Sequence, residues 1–279
     1  MSPETKSTPL IETADLRKEF RRGGKTFVAV EGVTIRLERG RNLGIVGESG
    51  SGKSTTARMI MGLERPTAGA VRVCGEDVTL PAHTAAARRR RAKLTQMVYQ
   101  DPFGSLDPRQ TVASCLREVL FIHGGSDRAG RERRIDELCD LVGLTTEQRK
   151  RIPKDLSGGQ RQRVAIARAL AVEPELIVLD EAVAALDISI QAQILNLLVD
   201  VQEQTGTAYV LISHDLAVVA HLTDDVIVMR NGRVVEQGET ARVLADPADA
   251  YTRVLRDSVP SLDWRREGVL EGIASRIED

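Results

Sequence analysis

Apolar and polar positions along the chain fall into distinct textures, and these predict its elements. Leu10–Phe20 and Phe27–Leu37 flank Arg21-Arg22-Gly23-Gly24, the pattern of an antiparallel strand pair around a turn. The short apolar run Asn42–Gly47 feeds a glycine-rich turn. Lys53–Leu63 follows with helical spacing at Ala57, Ile60 and Met61, and Gly62 and Pro66 stand where such a helix ends. Ala70–Val78 reads as a hairpin that joins the first sheet. From Arg109 to about Leu170 the helical period dominates, with Val112–Gly124 and Arg134–Leu144 as amphipathic segments. Leu176–Glu181 and Ala208–Ser213 are continuous apolar runs, as strands buried on both faces require. The helical stretch Ile188–Gly206 between them makes a βαβ crossover. Asn231-Gly232 lies between the two apolar runs of Asp225–Gly238, a hairpin signal. Met1–Pro9 is polar and reads as frayed, while Glu239–Asp279 mixes helix and loop. The expected class is α/β, with an antiparallel β portion at the N-terminus and a helical insertion near the middle.

Composition narrows the functional classes. The 279 residues are 42% apolar and 28% charged, ordinary for a soluble globular chain. Lys plus Arg number 39 against 40 Asp plus Glu, a formal charge of −1 that argues against a nucleic-acid binder. The longest stretch without a charged residue or His is the 12 residues Ile188–Val199. That is short of the ~18 a bilayer span needs. Met1–Leu10 holds Glu4 and Lys6 and no apolar core, so no secretory signal is read there. Cys74, Cys115 and Cys139 form no CxxC pair and leave one unpaired, which fits a reducing compartment. The expectation is a cytosolic protein held at a membrane by other subunits.

The richest chemistry lies at Gly47-Glu48-Ser49-Gly50-Ser51-Gly52-Lys53-Ser54, which satisfies G-x-x-x-x-G-K-[ST] between a strand and a helix. Glycines let successive N–H groups surround the β- and γ-phosphates of a nucleoside triphosphate, and the helix N-terminus adds its positive dipole end. Lys53 supplies a mobile positive charge to the outer phosphates, and the Ser54 hydroxyl can ligate Mg²⁺. The bland alternative is a turn that merely joins strand to helix; all the motif positions and both flanking elements speak against it.

Three further features gather around this motif. Asp180, ending the first buried run, can hold Mg²⁺ through water, and Glu181 can face the water that attacks the γ-phosphate. Successive strand residues point to opposite faces, so Glu181 need not share the metal site. His214 follows the second buried run, on the edge where open α/β sheets bind ligands, and can donate to a γ-phosphate oxygen; His83, His123 and His221 lack such a setting. Leu156-Ser157-Gly158-Gly159-Gln160 forms a second glycine-rich anion nest at a helix start, without a lysine. A second nest makes sense if it caps a nucleotide held by another copy.

With these motifs in order, the chain resembles the ATP-binding subunit of ABC transporters over nearly its whole length, a P-loop NTPase core with an N-terminal antiparallel β subdomain and a helical insertion subdomain. Walker A is Gly47–Thr55, the Q-loop is at Gln100, the signature at Leu156–Gln160, Walker B at Leu176–Asp180, followed by Glu181, a D-loop at Ala184–Asp187 and the switch His214. The resemblance places an ATPase domain at 10–260, with a core at about 10–100 and 170–238, a helical subdomain at about 101–169 and an extension at 239–279. It implies ATP and Mg²⁺ sandwiched between two such domains, one giving Walker A and the other Ser157, Gly158, Gly159 and Gln160. Phe20 stands where the family stacks an aromatic on adenine. Gln100 would reach Mg²⁺ and water, and Asp187 would act across the dimer. The family's D-loop often begins Ser-Ala, where this chain has Ala184-Ala185; the lost hydroxyl removes one hydrogen bond, about 0.5–1.5 kcal/mol net.

Tyr99–Val112 and Asp246–Pro260 are similar to the oligopeptide/dipeptide/nickel import branch, although Asp249-Ala250 stand where that branch has His-Pro. No cysteine follows Cys139, so the iron–sulfur cluster of some members is not expected. The resemblance implies a second ATPase subunit, identical or homologous, two transmembrane permeases and an external substrate-binding protein, with the chain peripheral on the cytoplasmic face of the membrane. Two other readings are a soluble ABC ATPase uncoupled from transport and a P-loop kinase, which would leave the Leu156–Gln160 nest unused. Arg88–Arg91 reads as a solvated helix face and Trp264 as a packing anchor.

Overall fold

The structure, a computed structural model, describes residues 8–123 and 127–258. The expectations for residues 1–7, for Trp264 and for the extension beyond Ser258 lie outside the described residues.

Its first layer is antiparallel. Strands β1 (Ile11–Arg22) and β2 (Lys25–Val33) pair around Gly23-Gly24, as the alternation predicts, with β3 (Arg36–Leu37) also on β1. After β4 (Leu43–Val46) and helix α1 (Lys53–Ile60), the hairpin β5 (Ala68–Val73) and β6 (Glu76–Asp77) joins this sheet beside β1. Helix α2 (Ala85–Leu94) leads into β7 (Thr95–Val98).

The chain between β7 and the next strand is helical: α3 (Pro102–Ser105), α4 (Val112–His123), α5 (Arg128–Leu141), α6 (Thr146–Arg149) and α7 (Gly158–Leu170). Then β8 (Leu176–Asp180), α8 (Ile188–Thr205) and β9 (Ala208–Ile212) form the expected crossover. Helix α9 (Leu216–Leu222), strands β10 (Asp225–Arg230) and β11 (Arg233–Glu239), and helices α10 (Thr240–Ala245) and α11 (Ala250–Asp257) complete the described chain.

The second sheet runs β11-β10-β4-β9-β8-β7, parallel except for the β10–β11 hairpin. Its strands separate two hydrophobic clusters by the two-residue period of extended chain. Ile45, Leu176, Val178, Val210 and Met229 join α1 and the antiparallel sheet. Val46, Ile177, Leu179, Leu211 and Val228 join the helices on the other face. Both faces are covered, so the strand sequences are continuously apolar rather than alternating. The apolar interior of the helical stretch is continuous with this second face, through Leu116, Leu138 and Ile166. Among the described residues no helix is long and apolar enough to cross a membrane.

Candidate active site

Strand order places the chemistry along one edge. Chain segments leave the carboxyl ends of β4, β9, β8 and β7 side by side, so the phosphate loop, His214, Asp180-Glu181 and Gln100 line up there in that order. This is the edge at which open parallel sheets bind ligands.

The phosphate loop is held from behind by other parts of the chain. Gly47 has φ +143°, and a Cβ there would lie 2.1 Å from the Met229 carbonyl oxygen of β10, so no side chain fits. The Gly232 N–H, in the β10–β11 turn, donates to the Ser51 carbonyl at 3.0 Å. Gly52 caps α1 with φ +103°. Glu48, Ser49 and Gly50 are exposed on the loop's rim, while Ser54 and Thr55 occupy the first turn of α1. Ser51 is buried, and its hydroxyl has no hydrogen-bond partner among the described residues.

Lys53 is 7% exposed, and its ammonium donates to the carbonyls of Gly47 at 2.7 Å and Glu48 at 2.8 Å. The mobile charge expected at this position is therefore tied into the loop's own backbone. Burial lowers the Lys53 pKa, opposed by the attraction of Glu181 and Asp180.

Asp180 accepts from the Ser54 hydroxyl at 3.4 Å. Burial raises its carboxyl above the ordinary range, against the Ser54 bond and Arg58. Two oxygen side chains meet here, and Gln100 borders the same cavity of about 430 Å³, with Tyr99, Asp101, Gly104, Ser105 and Asp180. Hard oxygen donors of this kind, with room for phosphate oxygens and water, suit Mg²⁺.

The orientation of Glu181 comes from a feature that strand alternation does not contain. Strand β8 ends at Asp180, and Glu181 turns into the left-handed region at φ +49°, with its N–H donating to Ile212 O at 3.0 Å. A non-glycine residue in this region is uncommon and points to a site that over-determines its backbone. The turn brings Glu181 Oε1 to 3.6 Å from His214 Nδ1. The two residues also line a shared small pocket.

Phe20, 39% exposed, lies on β1 directly opposite Phe27 of β2. Strand β2 borders the phosphate loop, because a Cβ on Gly52 would lie 2.6 Å from Ala29 O. The Lys18 ammonium lies over the Phe20 ring, 4.9 Å from its centroid. From the sequence Phe27 is placed in the strand but given no part in the site, although its position across the hairpin from Phe20 is a readable signal.

The second nest is arranged differently. Ser157 caps α7 in a reciprocal box: its hydroxyl accepts from Gln160 N–H at 3.3 Å, and Gln160 Oε1 accepts from Ser157 N–H at 3.0 Å. Gly159 is buried, and a Cβ there would meet Ile190 Cγ2 at 2.6 Å, so the glycine lets α7 approach α8 closely. Gly158 faces Leu186 of the D-loop, with 3.4 Å to a built Cβ. Asp187 is exposed and caps α8, accepting from Ile190 N–H at 3.0 Å and from the Ser189 hydroxyl at 2.9 Å. Those bonds hold its carboxyl below the usual range.

Known proteins place this arrangement. Residues 30–184 match the family model described as ABC transporter. A peptide import ATP-binding protein of Brucella abortus is 46% identical over 257 residues, covering 90% of this chain and 77% of the relative. The dipeptide transport ATP-binding protein DppF of Escherichia coli is 42% identical over 273 residues, covering 95% of this chain and 81% of the relative. Among solved structures, the ATP-binding cassette MJ0796, dimeric in a post-hydrolysis state with ADP and phosphate, superposes with TM-score 0.73 at 28% identity, over 82% of this chain and 98% of that one. With a phosphate loop, two acidic residues and a histidine along one sheet edge and a capped glycine nest on α7, the chain belongs to the ABC transporter family as one of its ATP-hydrolysing cassettes.

Proposed function

We propose that the chain energises a peptide importer, hydrolysing ATP between itself and a second cassette. The observation that carries this reading is the division of the site. One sheet edge holds the phosphate loop, Asp180, Glu181, His214 and Gln100, while Ser157 and Gln160 are bonded to each other at the start of α7 and line neither cavity of that edge. The relatives that carry the peptide-import name support the cargo class.

In this scheme the loop amides and the α1 N-terminus receive the phosphates, and Lys53 exchanges two carbonyl partners for phosphate oxygens. Ser54, Asp180 and Gln100 would hold Mg²⁺, which when bound neutralises charge on the phosphate oxygens. Glu181 orients the attacking water and accepts its proton, and His214, whose Nδ1 lies 3.6 Å from Glu181 Oε1, donates its N–H to the transferred phosphoryl group. Phe20 stacks on the base. A second cassette brings its Ser157–Gln160 nest against the γ-phosphate, and Asp187 acts across the interface. Beyond Gln100, a groove of about 560 Å³ runs between the end of α1, α2, β7 and α4, with exposed Leu63 and Tyr99 on its lining and Phe121 and Ile122 exposed on α4. It is the surface for a cytoplasmic helix of a permease, with two permeases and an external binding protein completing the importer.

The decisive measurement is on Glu181→Gln. It should bind ATP, accumulate as a dimer in size-exclusion chromatography, and lose turnover by about a hundredfold or more. Normal steady-state hydrolysis by this variant would refute the role of Glu181. Co-purification with membrane subunits from detergent checks the transport assignment; recovery only in the soluble fraction would count against it.

A further inference from the structure

The phosphate loop has one backbone donor whose partner comes from the far end of the chain. The Glu48 N–H donates to the hydroxyl of Tyr251 at 2.9 Å. Tyr251 is 5% exposed, near the N-terminus of α11, more than two hundred residues from the loop by sequence.

The phenol is fixed on several sides. Arg230, at the end of β10, lies over its ring at 4.7 Å from the centroid. Asp249 accepts from the Tyr251 N–H at 2.8 Å and so caps α11. The turn before α11 is pinned by Glu236 of β11, which accepts from Ala248 N–H at 2.8 Å and Asp249 N–H at 3.1 Å. Arg253 donates to Ala248 O at 2.8 Å and closes the same turn. The hydroxyl is thus the tip of a braced strut from the β10–β11 hairpin to the loop. The same hairpin meets the loop directly, through Gly232 on Ser51 and Met229 against Gly47.

We infer that Tyr251 is a positioning residue for ATP binding: its hydroxyl holds the ascending limb of the phosphate loop at Glu48 in the conformation that receives the phosphates. The inference rests on the ATP-binding reading of the loop. It gives the start of the C-terminal extension a task at the nucleotide site, which no motif in the sequence assigns to it. Satisfying a loop amide from a rigid element reduces the conformations the loop must give up when ligand binds. Tyr251→Phe keeps the ring, the Arg230 contact and the helix, and deletes only the acceptor.

The test compares wild type, Tyr251→Phe and Tyr251→Leu as full chains. The readouts are equilibrium binding of ATP, amide hydrogen exchange of the phosphate loop, KM and kcat for ATP, and thermal unfolding. Loss of one net hydrogen bond to the loop should raise Kd and KM for ATP roughly three- to tenfold, with kcat within about twofold. Exchange at the Glu48 amide should speed up in both variants, whereas only Tyr251→Leu, which empties the ring's site, should melt clearly earlier. A Tyr251→Phe variant with wild-type Kd and wild-type Glu48 exchange overturns the inference. So does one whose affinity loss tracks its loss of melting temperature across both variants, which would mark Tyr251 as packing alone. Failure of the wild-type chain to bind ATP would instead overturn the underlying reading of the loop.

Discussion

At the scale of single residues, burial and charge pull against each other at the carboxyl edge. Burial favours the neutral acid at Asp180 and raises its pKa, against the Ser54 hydrogen bond and the positive charge of Arg58. A raised carboxyl pKa means that the cost of keeping it charged is fully present above its folded-state value, shrinks as pH falls below that value and is gone below the unfolded-state value. Asp180→Asn should therefore unfold at a higher temperature than wild type at pH 7, and the advantage should shrink on acidification, while hydrolysis is lost. An equal or lower melting temperature at pH 7 would contradict the account. The identities of these residues were readable from motif spacing, since Gly47–Ser54 and Leu176–Glu181 can be recognised without coordinates. Their geometry was not. The left-handed turn at Glu181 and its approach to His214 depend on β8 and β9 being neighbours, and the tethering of Lys53 depends on how the loop closes.

Helix ends and close helix contacts make the element scale. Asp187 is read from the sequence as a residue acting across a dimer, and within the chain it is also the N-cap of α8. The cap and the proposed role across the dimer separate by substitution. Asp187→Ala should lower the melting temperature by about 3 °C through loss of the cap, and Asp187→Asn, an equally good cap, should leave it nearly unchanged. Equal melting of the two variants would show that the cap contributes nothing. If the carboxylate also acts on the partner cassette, hydrolysis falls in both. The helix carrying Arg88–Arg91 shows how far pattern alone reaches. Its solvated character is as expected, with only Leu94 buried. Yet Arg90 pairs with Glu76 at 2.8 Å, and Arg91 donates to the carbonyls of Leu80 at 2.7 Å and Gly62 at 3.3 Å. The run therefore fastens α2 to the β5–β6 hairpin and to the end of α1, partners that helical period does not name.

For the whole molecule, the proposed sharing of the site between two cassettes makes activity a property of pairs. Hydrolysis per subunit should fall as the protein is diluted through the range where dimers part. Ser157→Ala and Ser157→Asp should both reduce turnover by about a hundredfold, the loss expected when one donor to transition-state charge is removed. Ser157→Ala should also cost about 1 kcal/mol of stability through the lost α7 cap, which aspartate can replace. Full-speed hydrolysis by strictly monomeric protein, indifferent to either substitution, would sink the paired-site account. Sequence alone determined the α/β class and most of the strands and helices, though not β7 or α9, and it named the candidate chemistry-bearing residues, because hydrophobic period, turn chemistry and motif spacing are local or nearly so. Only the tertiary structure decided what stands behind them: the order β10-β4-β9-β8-β7 that lines the motifs along one edge, the carbonyl of Met229 that requires Gly47, the side chain of Ile190 that requires Gly159, and the Tyr251 hydroxyl on Glu48. Those contacts join positions far apart in the chain through close packing, and close packing between distant segments has no signature in the period of either segment.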